Sequence, residues 1–99
     1  MPQVKVIVEH QMDPDALMAR AGTVIAKTVR DFNGRELRIE WRRYSAEFWF
    51  KSLAFRIAGR MRVEPGQVVV IFGIPAVATM FKGVVVAAVR RNIEEVIER

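Results

Sequence analysis

Between Val4 and Glu9 apolar and polar positions alternate, with Val4, Val6 and Val8 on one face and Lys5, Ile7 and Glu9 on the other. That period of two predicts a strand whose second face is partly covered. Asp13-Pro14-Asp15 follows, an N-cap residue, a proline suited to the first helical position and an acidic group beside the positive helix end. The expected helix runs to Phe32, with Leu17, Ala21, Val24, Ile25 and Val29 inward and Arg20, Thr23, Lys27 and Arg30 outward. Asn33-Gly34 supplies the left-handed residue that closes it.

From Arg35 to Arg43 the alternation returns: Leu37, Ile39 and Trp41 face one way, and Glu36, Arg38, Glu40 and Arg42 the other. A strand carrying those charges lies at a sheet edge, or in a sheet covered on one side only. Ser45, with Glu47 behind it, reads as the cap of a helix over 45–61. At about 100° per residue, Trp49, Leu53, Ile57 and Met61, with Phe50 beside them, form one apolar stripe. Phe48 and Phe55 fall on the far side, bordered by Lys51, Arg56 and Arg62, and Gly59 leaves a notch beside them. One core cannot take both stripes, so the second is expected either under the end of the last helix or a loop of the same chain, or at a contact between subunits.

Pro65-Gly66 has the chemistry of a turn into a buried strand over 67–73. From Gln67 to Ala88 the chain carries one formal charge, Lys82, in 22 residues. A bilayer is spanned by about 20 apolar residues, but Gly73, Pro75, Lys82 and Gly83 interrupt this run, and its first half is β-branched like a core strand. The reading is a strand, a tight turn at Gly73-Ile74-Pro75 and a mostly buried helix, with no membrane span. That helix changes face: Val77, Met80, Phe81, Val84 and Ala88 make one stripe, then Val86, Val89, Ile93, Val96 and Ile97 make another. It is expected to kink at Gly83, with its last turns packed on something else. The alternative is a fourth strand over 83–89.

Taken together, these elements predict one small α/β domain over 1–99, in β-α-β-α-β-α order. Right-handed crossovers would give a largely parallel, two-layer sheet with helices mainly on one face.

Composition adds three constraints. An apolar fraction of 52% in 99 residues is high for a chain with so much surface per volume, and points to self-association. The absence of cysteine excludes disulfides, thiol nucleophiles and Cys-ligated metals, and suits a reducing compartment. No basic stretch precedes an apolar core at the start of the chain, so a signal peptide is not expected and the localisation read is cytoplasmic. Charge is uneven. Residues 35–62 hold eight basic residues against three acidic ones, a balance of +5 that equals the net charge of the whole chain. Seven of the eight are arginine, which suits bidentate contact with phosphate or carboxylate.

Candidate chemistry is thin. His10, the only histidine, reads as an exposed loop residue beside a helix cap, and its neighbours Asp13 and Asp15 are explained by capping; the Gly73-Ile74-Pro75-Ala76 turn lacks a phosphate-loop pattern; no ligand set for a metal is visible. No catalytic residue, metal or cofactor is therefore assigned. The leading expectation is a non-enzymatic, homo-oligomeric structural or scaffold module whose interface uses Phe48, Lys51 and Phe55 of helix 45–61 with Ile93, Val96 and Ile97 of the C-terminal helix. The alternative is nucleic-acid or other polyanion binding through Arg38, Arg42, Arg43, Arg56, Arg60 and Arg62. A small-ligand enzyme at the carboxyl edge shared by the first strand and strand 67–73 comes third.

Overall fold

The computed structural model describes residues 1–97. Its strands are β1 (Gln3–Glu9), β2 (Arg35–Trp41), β3 (Ser45–Ser52), β4 (Phe55–Glu64) and β5 (Gln67–Gly73). Helices α1 (Pro14–Met18) and α2 (Ala21–Asp31) join β1 to β2, and a 3₁₀ turn (Ala76–Phe81) leads from β5 into α3 (Lys82–Ile97). The sheet has the order β1-β5-β4-β3-β2, with every neighbouring pair antiparallel. Strands β2 to β5 form a meander. β1 lies at the opposite edge from β2, so α1 and α2 carry the chain across one face of the sheet.

This is a small mixed α/β domain, but the expected parallel β-α-β-α-β-α order is wrong. The segment 45–61 is not a helix: it is the β3–β4 hairpin, with Ala46, Phe48 and Phe50 and then Ile57, Met61 and Val63 pointing into the core. Its turn is two residues long, Leu53-Ala54 between the pair Ser52 and Phe55. Leu53 takes the left-handed conformation, φ 55°, which such turns normally assign to Gly or Asn. Without those residues the hairpin leaves no punctuation in the sequence, and its apolar positions also fit a helical step. Arg43-Tyr44 turns β2 into β3 in the same unmarked way, Arg42 N–H donating to the Ser45 carbonyl at 2.8 Å.

Elsewhere local chemistry acts as expected. The Asp13 carboxylate accepts from Ala16 N–H at 3.1 Å, and Pro14 opens α1. The predicted first helix breaks once, at Ala19-Arg20, into α1 and α2. Asn33, at φ 53°, supplies the left-handed residue after α2. β2 is an edge strand, bulged between Arg35 and Arg38. Gly66 turns β4 into β5 at φ 90°. The alternative of a strand over 83–89 fails, since these residues lie within α3; the break in the C-terminal helix falls at Phe81-Lys82, just before Gly83.

The core lies between the sheet and the helices. Val4, Val6 and Val8 of β1, Val68, Val70 and Phe72 of β5 and the inward residues of β3 and β4 meet Val24, Ile25 and Val29 of α2 and Val89, Ile93 and Val96 of α3. The polar side chain of Asn92 in α3 is buried here, and it donates to Thr28 Oγ1 at 3.1 Å and to Asp31 Oδ2 at 3.0 Å. Burying an amide is tolerated because its donors are satisfied.

His10 is buried too. Its Nε2 donates to the Glu64 carbonyl at 2.7 Å, while Nδ1 accepts from Met12 N–H at 3.1 Å, an assignment that fixes one neutral tautomer. The ring therefore ties the exit of β1 to the end of β4. His10→Ala is expected to lower stability by about 1–3 kcal/mol, since it strands a backbone donor and an acceptor. A chemical denaturation midpoint unchanged from the parent would contradict this role.

Candidate functional site

The interface expected from the sequence does not form as a unit. Phe48 is 4% exposed, stacked against Phe50 with ring centroids 6.3 Å apart, and Ile93 and Val96 are equally enclosed. Side chains so covered offer nothing to a second subunit. Ile97 is half-buried against the core. Phe55 is exposed at the start of β4, and Lys51 lies on the other face of the sheet, 3.0 Å from Glu36. The shared carboxyl edge expected for an enzyme also disappears, because β1 and β5 run in opposite directions and finish at opposite ends of the sheet.

What the fold leaves uncovered is the other apolar stripe of the C-terminal segment. Val77 is 74% exposed, Met80 81%, Phe81 56% and Val84 69%. The stripe is visible in the sequence, where it reads as core, and its last member, Ala88, is indeed buried, but the chain after Pro75 leaves the sheet, so the first four members stay outside while the second stripe packs on the core. The register places further apolar groups at this end. β1 begins where β5 finishes, with Gln3 opposite Gly73, and the β3–β4 turn lies at the same end. Met1, Leu53 and Phe55 are also exposed at this end of the sheet.

The arginines gather on the outer, open face of the sheet. Arg38 of β2 and Arg56, Arg60 and Arg62 of β4 alternate with inward residues, so all four point away from the helices. Arg42 and Arg43 sit at the β2–β3 turn, with Arg42 Nε 3.9 Å from Glu47 and the Arg43 guanidinium 5.3 Å from the Tyr44 ring. Arg60 contacts Glu47 at 3.3 Å and Arg62 contacts Glu64 at 2.7 Å. The Lys51 ammonium, by hydrogen bond first and charge second, lowers the pKa of Glu36. Gln67, hydrogen-bonded to Glu64, and then Arg62 lower the pKa of Glu64. Among the described residues Arg38 and Arg56 form no salt bridge.

Among the described residues, neither surface holds a recognisable catalytic constellation and no group of three or more His, Asp or Glu could hold a metal ion. Nor, among the described residues, is any helix long and apolar enough to cross a membrane.

Residues 4–97 match the model of the family described as "Putative polyhydroxyalkanoic acid system protein". The chain belongs to this family. Its description names a component of a polymer system and no reaction. No curated protein matches the chain. Among solved structures it is similar to TTHA0849 from Thermus thermophilus, at 11% identity and a TM-score of 0.42, covering 98% of this chain and 92% of that one.

Proposed function

We propose that this protein is a non-enzymatic component of a polyhydroxyalkanoate system that docks on the polymer granule through its apolar pole. The observation that carries this is the stretch Ala76–Val84, whose large side chains Val77, Met80, Phe81 and Val84 stand in solvent with a single charge, Lys82, among them. Exposed apolar groups so concentrated mark a contact surface. The family description supplies a fitting occupant, since a polyester of hydroxyalkanoic acids presents alkyl chains and esters and few hydrogen-bond donors. Burying an aliphatic or aromatic side chain contributes about 1.5–3 kcal/mol, so four together favour adsorption even after the losses of ordering. The pole also accounts for the high apolar fraction, which composition alone attributes to self-association.

Co-sedimentation with washed polyhydroxyalkanoate particles tests the proposal. The parent is expected in the pellet, and Met80→Ser with Phe81→Ser in the supernatant with an unchanged circular dichroism spectrum, because neither side chain belongs to the core. Equal pelleting of the two proteins would remove the apolar pole as the docking surface.

A further inference from the structure

The open face of the sheet carries a second feature, independent of the apolar pole. Trp49 of β3 projects from it, 37% exposed, among charged neighbours. Its cross-strand partners are Arg38 on β2 and Ala58 on β4. Ala58 is too small to cover the indole, and a cleft opens on each side of it. One, of about 510 Å³, is walled by Arg38, Lys51 and Arg56 together with Glu36 and Glu40. The other, of about 290 Å³, runs towards β1 past Arg60, Glu47, Ile71 and Gln3. Trp49 and Ala58 line both clefts, so the indole stands on a path that crosses the sheet from β2 towards β1.

We propose that this path binds single-stranded nucleic acid, with a base stacked on Trp49 and flanking phosphates held by Arg38 and Arg56. Three observations select this ligand. An exposed indole on an open sheet is the stacking platform used for unpaired bases, every one of which has a π-face. Among the described residues neither arginine beside it is in a salt bridge, and Arg56 acts on Glu36 only through its charge, whereas Arg60 and Arg62 are held by Glu47 and Glu64. The path continues on both sides of the ring, which suits a chain better than a single small anion. Duplex DNA fits less well, because its bases are already stacked and the surface offers no helix or ribbon for a groove.

The acidic residues on the face set the form of the contact. Glu40 lies opposite Glu47, and Glu47 is partnered by Arg42 and Arg60. That quarter of the face is locally balanced, so the phosphates are expected nearer the β3–β4 turn, where Arg38 and Arg56 flank Trp49, and not uniformly over the basic segment.

Fluorescence anisotropy with a labelled twelve-residue oligothymidylate, measured across a salt series, tests the proposal. Trp49→Ala is expected to weaken binding about 10-fold or more, as for loss of one stacked base, while Trp49→Phe retains most of it. Arg38→Ala with Arg56→Ala is expected to reduce the slope of log affinity against log salt by about 1.4 units, two phosphate contacts on a single strand. Arg30→Ala with Arg91→Ala removes the same charge from the helical face and should leave that slope unchanged. Circular dichroism on each variant separates loss of binding from loss of fold. Equal losses from the two arginine pairs would overturn the site, as would inorganic polyphosphate, duplex DNA or a free nucleotide binding as tightly as the oligonucleotide. Particle sedimentation is read separately on the same variants, and Trp49→Ala is expected to pellet with polymer like the parent.

Discussion

Phe48→Asp is expected to unfold the protein, and not to release an intact monomer from an assembly. The ring is 4% exposed, stacked with Phe50, and enclosed among Val24, Ile25 and Phe72 around a residual void of only about 10 Å³. Removing a buried Phe costs about 3–5 kcal/mol in lost contact and cavity. An aspartate at that position adds a charge with no partner and no water, a further cost that is typically met by a shifted pKa or by unfolding. A domain of this size has about 5–15 kcal/mol in total, so the sum approaches the whole. The measurement is far-UV circular dichroism with thermal melting, and a cooperative melt near that of the parent would show that the ring is not in the core. Phe55→Asp is the internal comparison. Phe55 is over a third exposed, at the start of β4, and its substitution should leave the fold intact.

The contrast between these two phenylalanines explains how much of the fold is legible in the chain. Strands β1, β2 and β5 can be read because each combines an apolar pattern with a marked boundary: Asp13-Pro14 after β1, Asn33-Gly34 before β2, and Pro65-Gly66 before β5. The β3–β4 hairpin has no such boundary. Leu53-Ala54 and Arg43-Tyr44 form two-residue turns from residues that rarely make them, so the pattern Phe48, Phe50, Ile57 and Met61 is open to either period. A helix there would put Phe48 and Phe55 on one face and leave them in need of a partner. With strands, both point towards the helix side, and only the position near the turn leaves Phe55 in solvent.

The candidate surfaces are legible in the same uneven way. The concentration of arginine in residues 35–62 needs no structure, but its arrangement does, because the antiparallel hairpin is what puts Arg38 and Arg56 on one face with Trp49. Trp49 itself reads as core in a helix. In a strand it falls out of step with Phe48 and Phe50, and the same register that buries them exposes the indole. The sequence shows both the apolar stripe Val77, Met80, Phe81 and Val84 and its counterpart Ile93 and Val96, but which of the two meets the core depends on where the chain goes after Pro75. No local propensity sets that direction. It follows from β1 occupying the edge beside β5, which draws α3 across the sheet by its second stripe.

Gly59→Ala is the other substitution with a large expected effect, and it tests the hairpin register directly. Gly59 pairs with Phe48 across β3 and β4 and with Phe72 across β4 and β5. A Cβ added there would lie 2.5 Å from Phe48 Cζ and 2.8 Å from the Phe72 Cβ. The first contact can be relieved if the ring turns; the second cannot, since a Cβ moves only with its strand. Crowding a packed core costs about 1–3 kcal/mol, against which the gain from replacing a strand glycine by alanine is smaller. The expected net result is destabilisation of roughly 1–2 kcal/mol, read as a lower denaturation midpoint. Phe48→Leu made in the same chain shortens the side chain that meets the new methyl. The double variant should therefore lose less than the sum of the two single losses, a coupling of the sign expected for residues in contact. Strict additivity would mean that Phe48 and Gly59 do not face each other, and the pairing of β3 with β4 would have to be redrawn by one residue, which would also turn Trp49 away from the open face.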